Sequence, residues 1–105
     1  MTRVEVNPGV CGLVCNIEVE RIDKQSVKIA VATDCEMISE LGESLMEAEL
    51  REIMKQPVES VVYRAASQCQ LHPACPVPSA IIKAVEVETG MALPRDVAMH
   101  IQRMG

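Results

Sequence analysis

Alternating apolar residues between positions 13 and 33 constrain the fold of this chain more than any other sequence feature. An apolar residue occupies every second position from 13 to 19, and again from 27 to 31. Alternation of this kind is typical of strands that bury one face. The polar run Asp23-Lys24-Gln25 separates the two stretches and predicts a turn. We therefore expect an antiparallel hairpin over residues 13–33, preceded by a further alternating stretch around Val4 and Val6.

The spacing of apolar residues changes at Thr33-Asp34 from two positions to three or four. Such spacing is typical of a helix with one buried face. It predicts a helix that begins near Cys35, continues or restarts over residues 47–56, and ends before Pro57. The apolar stripe consists of Met37, Ile38, Leu41, Leu45 and Ala48.

Two further helices and a last strand are predicted in the rest of the chain. Residues 58–69 favour a short helix, and another helix follows the proline-rich loop 69–78 and ends at Thr89-Gly90. Residues 97–101 alternate again, which predicts an edge strand. The sequence thus predicts one domain, residues 1–105, of the α+β class. We expect a three-stranded antiparallel sheet covered on one face by helices, in the order β-β-β-α-α-α-β with the last strand at an edge.

The composition excludes several classes of function. The chain has a net charge of −5 and one aromatic residue, Tyr63, so it lacks the basic stripe and stacking surfaces typical of nucleic-acid binding. An acidic chain is also repelled by anionic lipid, and no apolar run is long enough to span a bilayer. The first six residues lack the apolar core of a secretory signal. We therefore expect a cytoplasmic protein that binds neither nucleic acid nor membrane.

Five cysteines carry the candidate chemistry, since the chain contains neither a glycine-rich phosphate loop nor a His-Glu-x-x-His motif. An odd number of thiols in a reducing compartment indicates metal or redox chemistry rather than disulfides. Three of them lie at predicted element ends: Cys11 after a turn, Cys35 at the start of a helix, and Cys75 just before another. Because a helix N-terminus favours negative charge, thiolates at Cys35 and Cys75 are expected to be good metal ligands.

A fourth ligand is available in the loop that contains Cys75. Either His72 or Cys69 would complete a set of three cysteines and one histidine, or of four cysteines. Both sets bind zinc or iron–sulfur clusters in proteins. Cys15 lies on the apolar face of its predicted strand and is interpreted as a core residue.

The arrangement of these residues resembles that of the U-type iron–sulfur cluster scaffold proteins, and of the small cysteine domains appended to some nucleotide reductases. The resemblance covers residues 7–90 and implies three antiparallel strands with helices on one face. It also implies an iron–sulfur cluster or zinc ion bound by Cys11, Cys35 and Cys75, with His72 as a further candidate ligand. The matching segments are Val10-Cys11-Gly12, Thr33-Asp34-Cys35, and His72 to Cys75 followed by Ser79-Ala80-Ile81-Ile82-Lys83-Ala84.

The sequence also departs from those scaffolds. They carry an aspartate two residues after the first cysteine, where this chain has Leu13, and their histidine adjoins the third cysteine, whereas His72 precedes Cys75 by three residues. The segments N-P-G-x-C-G and C-P-V-P-x-A-I-I-K-A are more similar still to a family of short proteins from anaerobic prokaryotes. No function is established for that family.

Three functions are compatible with these residues, and a binding role is favoured over an enzymatic one. The first is a metal-binding protein that holds or passes a cluster or metal ion through its cysteines, with a protein partner as donor or acceptor. The second is a zinc-stabilised interaction domain. The third is a thiol redox or sulfur-transfer enzyme with Cys75 as nucleophile, His72 as base and Cys69 as resolving thiol. The edge of the last predicted strand also allows a homodimer.

Overall fold

The computed structural model describes residues 1–105, and its first three strands follow the alternation in the sequence. They pair as antiparallel neighbours in chain order. Asp23 forms the turn between the second and third strands, because its carboxylate accepts hydrogen bonds from the amides of Gln25 and Ser26 at 2.8 and 2.9 Å. The strands are β1 (Thr2–Val6), β2 (Cys15–Arg21) and β3 (Ser26–Thr33).

One face of this sheet forms the floor of the hydrophobic core. The register pairs Val6 with Cys15 and Cys15 with Thr33, so alternate residues of all three strands point to the same side. On that side the side chains of Cys15, Ile17 and Val19 in β2 are fully buried. The structure thus forms the hairpin that the alternation predicts, over residues 15–33.

Four helices follow the hairpin, and the core lies between them and the sheet. They are α1 (Glu36–Ser44), α2 (Leu50–Ile53), α3 (Val61–Gln68) and α4 (Val77–Glu88). α4 packs on β1 and β2, α1 packs on β3, and α3 packs on both α1 and α4. The buried hydroxyl of Ser60 caps α3, since it accepts the Val62 amide and donates to the Ile53 carbonyl at 2.7 Å. None of these helices is both long and apolar enough to cross a lipid bilayer.

The prediction of a three-stranded sheet is wrong. A fourth strand, β4 (Glu47–Glu49), pairs antiparallel with β3 and gives the sheet order β1-β2-β3-β4. The element order is accordingly β-β-β-α-β-α-α-α. We predicted residues 47–56 as a continued or restarted helix, and only α2 within that segment is helical. The α+β class itself is compatible with the structure.

β4 forms because the first residues of β3 gain hydrogen-bonding partners that a longer α1 would not supply. The Ile29 amide donates to the Met46 carbonyl at 2.9 Å, and the Leu50 amide donates to the Gln25 carbonyl at 2.7 Å. The three residues of β4 alternate, and Ala48 alone among them packs against the core. Strand pairing here outweighs the helical spacing that runs through Leu45 and Ala48.

The strand predicted over residues 97–101 does not form. α4 ends as predicted at Thr89-Gly90, where Gly90 adopts a φ of 79°. All residues from 91 to 105, which we call the tail, are exposed and lie outside any helix or strand. The alternation in the tail has no strand beside it in the molecule, so it lacks the ladder that would define a strand.

Candidate functional site

The loops that carry the candidate ligands leave the sheet at one end. Val6 is the last residue of β1, Cys15 the first of β2 and Thr33 the last of β3, and the register places these three side by side. We call the end of the sheet defined by these three residues the thiol end. The connection that contains Cys11 and the link that leads to Cys35 both start there.

α4 is oriented so that its N-terminus also lies toward the thiol end. Its last residue, Glu88, accepts hydrogen bonds from the Thr2 hydroxyl at 2.8 Å and the Arg21 amide at 3.1 Å, at the opposite end of β1 and β2. The Thr2 hydroxyl, the Arg21 amide and the N-terminal ammonium hold the pKa of the Glu88 carboxyl below its usual range. α4, with twelve residues, is about 18 Å long and runs along most of the length of β2, whose seven residues span about 23 Å. Cys75, which precedes Val77, is therefore carried toward the thiol end.

Cys35 opens α1 at the thiol end. Its amide donates to the Thr33 hydroxyl at 3.1 Å, and its carbonyl accepts the Ser39 amide at 2.9 Å. The extended backbone at Cys35, with φ −80° and ψ 118°, is that of an N-cap residue. Its thiol makes no capping hydrogen bond and packs half-buried against the core. This thiol is therefore available to bind another group.

Cys75 holds a similar position just before α4. Pro76 is the N-cap residue of that helix, and the Cys75 amide donates to the His72 carbonyl at 3.0 Å, which closes a turn. The Cys75 thiol is half-buried and packs against the core, as the Cys35 thiol does. The sequence prediction that both cysteines lie at helix N-termini is confirmed.

Cys15 provides a third thiol at this end of the sheet. Its side chain is fully buried, and this burial raises the pKa of its thiol from 9.0 to about 11, with the negative charges of Cys75 and Cys35 adding to the rise. The register pairs Cys15 with Thr33, two residues before Cys35, and α4 packs on β2, so all three thiols lie toward the thiol end of the sheet. We call Cys15, Cys35 and Cys75 the thiol cluster.

Sequence reasoning assigned Cys15 to the core and missed its place beside the candidate ligands. The burial is as predicted, but the neighbours are not. A signal was present in the hairpin, because a turn centred on residue 24 places residue 15 opposite residue 33. Residue 33 lies only two positions before Cys35, so the register already brings Cys15 close to that thiol.

Cys11 lies at the thiol end but outside the thiol cluster. It is exposed, in the connection between β1 and β2, where Gly9 and Gly12 adopt positive φ angles of 89° and 68°. The Gly12 amide donates to the Gly9 carbonyl at 3.0 Å, so Cys11 sits inside a closed turn. Its neighbour Val10 is fully exposed, and Leu13 and Val14 are 39% and 42% exposed. This connection therefore holds apolar surface in contact with solvent.

The two candidates for a fourth ligand differ in their surroundings. Cys69 ends α3 as its C-cap residue and packs half-buried against the core. His72 is exposed, and its carbonyl rather than its imidazole is engaged, by the Cys75 amide. Both lie in the loop that leads to Cys75, as the sequence indicates.

The elements that carry Cys11, Cys15, Cys35 and Cys75 meet toward one end of the sheet without forming a closed coordination site. No group of three or more histidine, cysteine, aspartate or glutamate side chains is placed so that it would hold a metal ion. Cysteine thiolates are the donors that zinc and iron–sulfur clusters prefer, so the donor set fits in kind. The side chains are not placed to hold a metal ion, and Cys11 differs from Cys35, Cys69 and Cys75 in being exposed.

The fold and the site define a small α+β protein with a thiol cluster at one end of an antiparallel sheet. A family of unknown function, DUF6951, matches residues 2–101, and the chain belongs to that family. The match spans all five cysteines and the tail as far as Ile101. No curated protein and no solved structure matches the chain.

Proposed function

We propose that this protein binds a zinc ion or a small iron–sulfur cluster through Cys11, Cys35 and Cys75, and that it holds this group or passes it to a protein partner. The observation that carries the proposal is the gathering of the thiol cluster at one end of the sheet, with Cys11 in the adjoining connection. These cysteines are up to 64 positions apart in the sequence, and the topology brings their elements together.

The electrostatics of the thiol cluster favour a cation. A thiolate at Cys35 or Cys75 makes ionisation of the Cys15 thiol harder, since like charges repel. A bound cation reverses this effect, because the same thiolates would then be stabilised by its positive charge. Negative charge at this end of the sheet is therefore less costly beside a bound cation than without one.

Closure of the site would be performed by the connection between β1 and β2. Cys11 has to move from solvent toward Cys35 and Cys75, and residues 9–14 around it are all exposed. The apolar side chains of Val10, Leu13 and Val14 are exposed beside it. Their burial on closure would add favourable free energy to the binding of the ligand.

The fourth ligand is Cys69 or His72. Cys69 is nearer to the core, whereas His72 is free to turn because its imidazole is exposed and unengaged. When bound, the metal group would supply Lewis acidity or electron transfer, and the protein residues would supply ligands and shield them from water.

The test is anaerobic purification followed by measurement of iron, zinc and acid-labile sulfide in the wild type and in Cys11→Ala, Cys35→Ala and Cys75→Ala. We expect the wild type to hold a stoichiometric amount and each variant to bind at least about tenfold more weakly. Loss of a ligand should cost no less than loss of an outer-shell partner, which costs about 10 to 100-fold. Titration of the metal-free protein with Co²⁺, followed by the thiolate-to-cobalt absorption band, gives the affinities.

Val10→Ala is the matched control for Cys11→Ala, since it truncates the neighbouring exposed residue without removing a thiol. It should retain the metal with a much smaller loss of affinity than Cys11→Ala, because it removes only part of the apolar surface that closure would bury. Wild-type protein without metal or cobalt binding, or three cysteine variants that bind as the wild type does, would disprove the proposal. Zinc without sulfide would favour the zinc-stabilised interaction domain, and iron with sulfide the cluster carrier. Cys69→Ala and His72→Ala identify the fourth ligand.

A further inference from the structure

The tail combines a strand-like sequence with full exposure. Val97, Met99 and Ile101 alternate with Ala98, His100 and Gln102. The three apolar side chains are 60%, 77% and 91% exposed. Alternation of this kind is typical of a strand that buries one face, yet the molecule itself offers nothing to bury it.

The sheet has an open edge that matches the tail in length. β1 is an edge strand of five residues, and its outer N–H and C=O groups have no strand beside them. Val4 is only half-buried, although its partner Ile17 in β2 is fully buried on the same face. A strand added beyond β1 would cover this exposed part of the core face. The other edge strand, β4, is three residues long and continues directly into α2, so it offers fewer backbone groups for strand pairing.

The charges of the tail and of the rest of the molecule are complementary. The tail contains two basic residues and one acidic residue, whereas residues 1–90 contain eight basic and fourteen acidic residues. Opposite net charges favour the encounter of the tail with the body of a molecule.

The tail leaves its own molecule at a sharp turn. The Arg95 amide donates to the Leu93 carbonyl at 2.9 Å across Pro94. The molecule measures 50 Å along its longest axis and 29 and 25 Å along the others. Every residue of the tail is exposed and none pairs with β1, so the tail does not extend the sheet of its own molecule.

We propose that residues 97–101 add as a fifth strand to the β1 edge of a second copy of this chain. In a twofold dimer the exchange occurs twice, since each copy lends a tail and receives one. Val97, Met99 and Ile101 face the core side of the partner's sheet, next to the half-buried edge. The intervening residues face the open side of that sheet.

The first measurement is the molecular mass of the full-length protein by sedimentation velocity, from low micromolar to millimolar concentration. A dimer is expected. In a mixed sample with ¹⁵N in one copy and ¹³C in the other, filtered nuclear Overhauser spectra should show contacts between the tail of one copy and β1 of the other. A monomer at every concentration, or tail contacts only within one copy, would overturn the proposal.

Met99→Glu and Ala98→Glu form a matched pair, because they add the same charge at adjacent positions on opposite faces of the strand. Met99→Glu should raise the dimer dissociation constant at least about tenfold more than Ala98→Glu, since it places a charge on the buried face. Equal effects of the two variants would contradict the strand. Both residues are exposed in the single molecule, so circular dichroism should show both variants folded.

Discussion

Two sets of neighbours determine the ionisation of the Cys15 thiol. As the first residue of β2 it is fully buried in the core, where a neutral thiol packs well and a thiolate does not. Toward the thiol end it meets Cys35 and Cys75, whose charges disfavour its ionisation further. The residue is therefore held as a neutral thiol at neutral pH, beside two thiols that are partly open to solvent.

This ionisation should appear in the alkaline stability of the metal-free protein. The pKa of the Cys15 thiol is higher in the folded protein, about 11, than its ordinary value of 9.0. Its contribution to stability is therefore fully present below pH 9.0 and is lost as the pH rises toward 11. We expect a loss of about 2 kcal/mol in the free energy of unfolding over that interval. Urea titrations at both pH values measure it.

Cys15→Ala is the comparison, because other groups also titrate at alkaline pH. The variant lacks the thiol, so its free energy of unfolding should fall by less over the same interval. The variant will be less stable than the wild type at neutral pH, since it leaves a small cavity. Equal losses in wild type and variant would show that Cys15 does not titrate as its burial requires.

At the scale of elements, α1 approaches β3 closely because of a glycine. Gly42 is buried in the helix, and a Cβ atom built there would lie 2.8 Å from Cβ of Val31. That contact is closer than side chains tolerate, and a Cβ cannot turn away. Gly42 therefore sets the distance between α1 and the sheet.

Gly42→Ala should destabilise the protein although alanine is the better helix former. The helix would gain about 1 kcal/mol from the substitution, whereas overpacking in a core costs about 1 to 3 kcal/mol, and α1 must also move from β3. We expect a net loss of up to about 2 kcal/mol in the free energy of unfolding, measured by urea denaturation.

Ser39→Ala is the matched control, since it also places alanine in α1 but at an exposed position. It should leave stability unchanged or raise it slightly. Stabilisation by both substitutions would mean that the helix and sheet accommodate the extra methyl group, and that Gly42 does not determine their separation.

The sequence correctly predicts the elements whose apolar periodicity matches the structure that their packing partners require. β2 and β3 alternate and pair with each other, and α4 has an apolar stripe between a proline-rich start and a glycine stop. The sequence misassigns the segments whose structure depends on whether they pair with a strand far away in the sequence. The helical stripe that includes Ala48 is overridden by pairing with β3, and residues 97–101 alternate without a strand beside them.

The sequence likewise predicts the local positions of the candidate site residues better than the distances between them. Placing Cys35 and Cys75 at element ends needs only local patterns, and both positions are confirmed. The proximity of Cys15 depends on the register of the hairpin, which the turn at Asp23 determines. How far Cys11 lies from the others depends on the backbone of an exposed turn, and apolar periodicity carries no information about such a turn.

On the scale of the whole molecule, the sheet and the helices share one core. Its 17 buried apolar residues come from β1, β2, β3 and from each of the four helices or their adjoining loops. Glu88 ties the last helix to the first strand through the Thr2 hydroxyl, so residues far apart in the sequence close the fold. No group of elements has a core of its own to keep if the rest unfolds.

The molecule is therefore expected to unfold in one cooperative step, and Tyr63 allows a direct test. It is the only aromatic residue, it is half-buried in α3, and its fluorescence reports on that helix alone, whereas far-ultraviolet circular dichroism reports on all elements. Urea transitions followed by the two signals should coincide, with a free energy of unfolding of about 5 to 15 kcal/mol. The comparison should be made at several protein concentrations, since tail exchange would shift both transitions together. A Tyr63 transition at lower urea than the circular dichroism transition would mean that α3 separates from the sheet first, and that the shared core does not bind the elements into one unit.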